Sequence, residues 1–416
     1  MIHDIEYKVI PKNNRFSTIV IMTVFISASN FYNIYFLSQD IIFAIQALII
    51  GIIVLLNIFN IIYLKRYFYN KNFSLGIGLI LIGSLFSVVS AYLYHDQSPV
   101  ITVWAQRVML FYLFYYVLHM LNVSDKKIIE LISIMGLIYS IFYLIQFFAF
   151  PRVIFDVRQE IDRGTVRIFL PGSIFMYAAY FISLQKVLYK KSIKDMLLMA
   201  LFLTIVILTA TRNVMAMLGL VSFIGIIISK KVKFKPVIYF LFLACGVSIF
   251  IVFKDIFMAL LEVSSNQAES AEENVRVRAV LFFLTVFMPD KFCYIIGNGA
   301  PHGAAAYGMQ VMAYAEMYGF YLSDIGFIGE YVKYGAIFGI GVLVSFIKWF
   351  SIKTELKHMF TKYLFYFYIL GLFFGGGWAH EGSIVMLCCV FYILDTSNFD
   401  FLSQRIRYVS KVLEKL

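Results

Sequence analysis

The chain has 416 residues, of which 62% are hydrophobic and only 14% charged, and its mean hydropathy of +0.85 excludes an ordinary soluble globular domain. The net charge of +11 would suit a nucleic-acid binder, but the basic residues sit between apolar runs, so nucleic acid is excluded as a partner and membrane lipid takes its place. Cys245, Cys388 and Cys389 lie in apolar runs and Cys293 in a loop, a pattern with neither disulfide nor metal-ligand spacing, so no metal or other cofactor is expected.

Taken in chain order, apolar segments of about 20 residues fall at 17–37, 41–63, 73–93, 99–121, 128–150, 168–188, 195–211, 213–229, 236–253, 324–347, 361–377 and 381–397. The expected fold is an all-α polytopic membrane protein of about twelve transmembrane helices. The pairs meeting near 211 and 379 are joined by very short turns and could each be one bent element. The stretch before Phe16 runs into a full-length span without a small-residue cleavage pattern, so no cleaved signal is expected. Basic residues in 8–15, 64–72, 122–127, 186–194, 229–235, 348–362 and beyond 398 fall on one side, which places both termini in the cytoplasm. The organisation expected is helices 1–9 over 1–253 with an outer loop at 151–167, a large outer loop over 254–323, helices 10–12 over 324–397, and an amphipathic cytoplasmic tail over 398–416.

The kind of base differs between the sides. Of 24 cytoplasmic basic residues twenty are Lys, whereas the outer side carries seven Arg (152, 158, 163, 167, 212, 276, 278) and only Lys254 and Lys291. Arg107 and Lys333 fall within spans. Positive charge alone orients a membrane protein, so the preference for Arg outside calls for the planar fork that binds phosphate or carboxylate oxygens two at a time. For Arg163 and Arg167 the alternative is salt bridging to Asp156, Glu160 and Asp162 in the same loop. Arg212, in "TATRN", has no acidic neighbour in sequence and would sit at a helix N-terminus, where the dipole favours anions. Arg276 is spaced to pair with Glu272, which leaves Arg278 the freer of the two. His302 follows the turn-forming "GNG".

Three charges crowd "SDIGFIGEYVKYG". Glu330 and Lys333 have the one-turn spacing of a neutralising ion pair, while Asp324 opens the span as either a cap or a base. "GGGWAHEG" holds Trp378, His380 and Glu381 in an outer turn, with a sugar-stacking or a membrane-interface role open for the tryptophan.

Three stretches in this order, "TATRN", Arg278 with "MPDKFCYIIGNG", and "SDIGFIGEYVKYG" with Gly335, resemble the O-antigen polymerase and ligase superfamily, and most closely the Wzy-type polysaccharide polymerases. The resemblance implies a multi-pass protein of the bacterial inner membrane that joins undecaprenyl-pyrophosphate-linked oligosaccharides on the outer face, without nucleotide sugars or metal. A chain-length regulator protein would be a partner. Arg212 and Arg278 would hold the donor pyrophosphate and Asp324 would activate the acceptor hydroxyl, with Arg276, His302, Arg163, Arg167, Trp378 and His380 lining the substrate. Ligases of the superfamily carry a histidine in the distal loop where this sequence offers Asp324, unless His302 serves, and that departure favours polymerase over ligase. A lipid-linked glycan flippase is the alternative from another class.

Overall fold

The architecture is that of a computed structural model, which describes residues 15–62, 71–162, 165–229, 275–374 and 377–413, with backbone alone at 374 and 398–413. It is mostly helical: α1 (Arg15–Ala28), α2 (Gln39–Ile62), α3 (Ser74–His95), α4 (Pro99–Ala105), α5 (Phe114–Leu121), α6 (Asp125–Ala149), α7 (Ser173–Lys190), α8 (Ile193–Leu208), α9 (Arg212–Ile228), α10 (Val275–Thr285), α11 (Cys293–Ile296), α12 (Ala306–Tyr318), α13 (Phe327–Ser351), α14 (Phe360–Phe374) and α15 (Glu381–Leu413). Four of these, α2, α3, α6 and α13, are long and apolar enough to cross a membrane, and the bent run 99–121 makes a fifth if taken as one span. The expected segment 236–253 lies outside the described residues.

Three departures from the expected spans have local causes. The first span stops at Ala28 because Asn30 to Asn33 all take left-handed backbone angles (φ 48, 50, 55 and 49), a conformation that asparagine tolerates better than most residues. Segment 99–121 bends by 59° at Gln106, whose side chain donates to Ser84 O and accepts from Ser87 Oγ, tying the break to α3. Residues 107–113 between the two helical pieces are 3-10. The last span and the expected tail are one continuous helix, α15. The loop 151–167 is not purely irregular either: Gln159–Asp162 (β1) and Thr165–Ile168 (β2) form an antiparallel hairpin with Glu160 opposite Arg167.

The first half of α15 is the centre of the molecule. Every residue from Ile384 to Leu394 is at most 1% exposed, as suits a helix that is apolar all round and has no polar face to show. It packs against α1, α5, α6 and α7. The most extensive helix pairing joins α3 to α13, where a Cβ on Gly83 would meet Phe338 N at 2.6 Å and one on Gly341 would meet Ile80 N at 2.7 Å. Only glycine permits that approach, the device by which apolar helices pack backbone to backbone.

At one end of the bundle the polar contacts are carboxylates and histidines beside lysines. Asp395 accepts from Asn72 (2.6 Å) and from Tyr115 and lies 3.4 Å from His119, while Asp125 takes the hydroxyl of Thr396 (2.7 Å) and Lys186 pairs with Asp195 (3.3 Å). The opposite end gathers the arginine-bearing loops.

Candidate functional site at the arginine-bearing end

Four loops at this end are joined in pairs by hydrogen bonds. Tyr35 N donates to Ile154 O (3.2 Å) and Asp156 N to Asn33 O (2.6 Å), which joins the loop after α1 to the 151–158 stretch. Gln97 Nε2 reaches Ala300 O (2.8 Å) and His302 N reaches Gln97 Oε1 (3.1 Å), which joins the α3–α4 turn to the loop before α12. Residues 275–325 build their own apolar cluster from Ala279, Phe283, Phe287, Tyr307 and Phe320, so this part of the long loop is a packed helical cap.

The cap is clasped to α13 by "GNG". Gly335 has φ +76 and breaks the α13 helix, which frees the carbonyls of Val332 and Lys333. Asn298 N and Gly299 N donate to those two carbonyls at 3.0 and 2.8 Å. Gly297 lies so close to Gly335 that a Cβ on it would meet Gly335 N at 2.6 Å. The fully buried Asn298 side chain completes the clasp, donating to Val332 O (3.1 Å) and to Met288 Sδ (3.0 Å) and contacting His95 Nε2 (3.0 Å). The two glycine motifs singled out in the sequence therefore serve each other.

Glu330 and Lys333 do not form the expected neutralising pair: no hydrogen bond or ion pair joins them. Instead Glu330 Oε1 accepts three successive backbone N–H groups, from Gly377, Trp378 and Ala379, each at 3.0 Å. Three amide dipoles aimed at one carboxylate oxygen replace its lost hydration without a counter-ion, and they fix the turn that leads into α15. Trp378 is wholly buried, packed on Phe346 (centroids 4.9 Å) and Phe391 (6.2 Å), with its carbonyl accepting from Tyr112 (2.7 Å). With its ring packed on these side chains, it belongs to the core.

Next to this turn stands a charged group that the sequence reading noted but gave no role. Arg107 donates to Trp104 O (2.9 Å) and to Gln46 Oε1 (3.0 Å), and Gln46 Nε2 in turn donates to Asn30 Oδ1 (3.0 Å). Its guanidinium lies over Phe43 (4.6 Å) and within electrostatic reach of Glu381, which also acts on His380 and Tyr334. Gln46 was missed as a single polar residue in an apolar run, a placement that was itself the available signal, and Asn30 because it falls in the short polar stretch that ends the first apolar segment.

The remaining expected residues divide between two places. Arg167 Nη1 pairs with Glu160 (2.8 Å) and Asp162 (2.9 Å), and Nε donates to Thr209 O (3.2 Å), so the salt-bridge alternative holds for it and it secures the hairpin to the α8–α9 turn. Arg212 is the first residue of α9 behind the N-cap Thr211, as the sequence suggested, with Ala210 at φ +47 making the turn tight. Arg163, and Glu272 as the partner expected for Arg276, lie outside the described residues. Arg276 and Arg278 are exposed on α10, Arg278 lying 5.9 Å over the Phe320 ring. Asp324 is exposed three residues before α13, bonded among the described residues only to its neighbours Ser323 (3.3 Å) and Tyr321 O (3.1 Å); Gly326, not Asp324, is the N-cap. Arg278 and Asp324 thus share the cap, while Arg212 belongs to the hairpin side. His302 is half-buried with Nδ1 accepting from Ala304 N (3.2 Å), and His380 is exposed just ahead of α15. No family model matches the chain, and no curated protein matches it.

Proposed function

We propose that the protein is a polysaccharide polymerase of the bacterial inner membrane, of the Wzy type, making O-antigen, capsule or exopolysaccharide. It transfers a growing glycan from undecaprenyl pyrophosphate onto the non-reducing end of a lipid-linked repeat unit. In this reading the chain crosses the membrane about twelve times, both termini are cytoplasmic, and the arginine-bearing end faces outward. The observation that carries the reading is the segregation of the bases: Arg152, Arg158, Arg167, Arg212, Arg276 and Arg278 all belong to loops at one end, and the bases near the other end are mostly lysine. A pyrophosphate leaving group gathers charge as the glycosidic bond breaks, and bidentate guanidinium groups stabilise that charge where a point charge serves less well. Arg278 and Arg212 are the residues proposed to do so, with Arg276 on the same helix as Arg278, and Asp324 is the first candidate for activating the acceptor.

The ligase alternative would need lipid A core as acceptor. The transporter alternative would draw on charges buried along a central path, whereas Arg107, Glu330 and Lys333 cluster at one end. In cells, Arg278→Ala is expected to abolish long glycan and to leave the single lipid-linked repeat unit accumulating, with Arg278→Lys restoring it poorly. Ladders of normal length from a well-expressed Lys variant would remove Arg278 from this role.

A further inference from the structure

Glu330 uses only half of its carboxylate in holding the turn. Oε1 takes the three amides, while Oε2 is buried and accepts no hydrogen bond among the described residues. One helical turn on, the half-buried Lys333 makes no hydrogen bond or ion pair among the described residues, and its Nζ lies 6.0 Å from the Tyr334 ring. The two side chains act on each other electrostatically and yet do not touch. Among the described residues an unpaired anionic acceptor and an unpaired cationic donor therefore stand one helical turn apart. A buried carboxylate oxygen without a donor is costly to leave so, and the half-buried ammonium is the nearest charged donor to supply one.

Few ligands satisfy both. A phosphate would meet the Glu330 charge and a cation would meet Lys333, so each gains one partner and is repelled by the other. A neutral hydroxyl gains both, because it donates to a carboxylate and accepts from an ammonium at once. The clasp at Asn298 and Gly299 holds the Lys333 carbonyl, and the three amides fix Oε1, so both groups are presented from immobile backbone. Asp324 is exposed and, among the described residues, bonded only to its sequence neighbours.

We propose that Glu330 and Lys333 form the subsite for the acceptor sugar hydroxyl, an inference that rests on the glycan-transfer reading above. The hydroxyl donates its proton to Glu330 Oε2 as its oxygen forms the new bond to the donor anomeric carbon. The bond from that carbon to the pyrophosphate oxygen breaks, its electron pair leaves with the phosphate, and the proton on Glu330 passes on to water. Lys333 Nζ stabilises the negative charge that grows on the attacking oxygen.

Glu330→Gln separates the two halves of the carboxylate, because the amide oxygen can still receive all three N–H groups while Oε2 becomes an NH₂. The full-length variants Glu330→Gln, Lys333→Met and the double variant are purified, and three quantities are read. These are thermal stability, binding of the neutral oligosaccharide that mild acid releases from the organism's own lipid-linked repeat units, and elongation of those units. Glu330→Gln is expected to keep its stability and lose elongation by about 10²–10⁴-fold. Lys333→Met should weaken binding of the released oligosaccharide at least tenfold. Wild-type elongation by Glu330→Gln would reduce Glu330 to a structural latch and overturn the proposal. So would single variants that lose stability and a double variant that regains it, since that marks an ion pair. Should Glu330→Gln fail to fold, unchanged oligosaccharide binding by Lys333→Met overturns the subsite. Oligosaccharide binding that depends on Lys333 in a protein that elongates nothing would keep the subsite and defeat the polymerase reading.

Discussion

Asn298 was read in the sequence as the middle of a weak turn motif, and its side chain turns out to hold three separate elements. It bonds to His95 at the end of α3, to Met288 after α10 and to Val332 in α13. Asn298→Ala should strip these contacts and leave buried groups unpaired, lowering stability by about 2–3 kcal/mol, measured as thermal unfolding of the purified protein. Trp378→Ala should cost about 3–5 kcal/mol by leaving a large cavity, whereas Trp378→Phe should fold and leave activity near the wild-type level. Loss of activity with full stability in Trp378→Phe would restore a binding role to the indole. At this scale the sequence was informative where partners are near in the chain. Arg167 with Glu160 and Asp162 could be weighed from spacing alone. Glu330 could not, because its partners lie about fifty residues away and are backbone groups that carry no compositional mark.

Among the elements, Gly335 was legible as part of a motif but not as a helix break. "YVKYGAIFGIG" keeps an apolar helical pattern straight through it, and only the second strand of contact, from "GNG", explains why the helix opens there. Gly335→Ala forces φ +76 on a residue with a Cβ and drives that Cβ into the Ile295 carbonyl. Backbone on both sides leaves nothing to give way, so this variant and Gly297→Ala should each fail to accumulate or melt far below wild type. Normal melting of Gly335→Ala would mean that the clasp is not built as described. Gly219, with nothing within 4 Å of its added Cβ, serves as the tolerant control. The early end of the first apolar segment was hidden for a related reason: Asn30 to Asn33 read as a minor polar interruption, and their left-handed path depends on Ser29 and on the 151–158 loop that receives them.

For the whole molecule, composition and the alternation of apolar runs with basic turns carried the helical character and grouped the arginine loops at one end. They could not rank the helices by depth. That α15 is the buried centre follows from packing, since "SIVMLCCVFYIL" is no more apolar than α2, which has exposed faces. The orientation is testable with the exposed Gln310 on α12 and Lys357 at the other end. A cysteine at Gln310 should react with an impermeant thiol reagent outside intact cells and one at Lys357 should not; the reverse pattern would invert the protein. Among the described residues the native thiols give little background, since all three are buried and burial pushes the Cys293 thiol up, away from the reactive thiolate. The central claim is tested most directly by reconstituting the purified protein in liposomes with undecaprenyl-pyrophosphate-linked repeat units and resolving the products by size. The account predicts a ladder at integer multiples of the repeat, with one undecaprenyl pyrophosphate released per bond formed and the ladder lost in Arg278→Ala. Repeat units that stay single with the wild-type protein, or that only cross the bilayer unchanged, would contradict it.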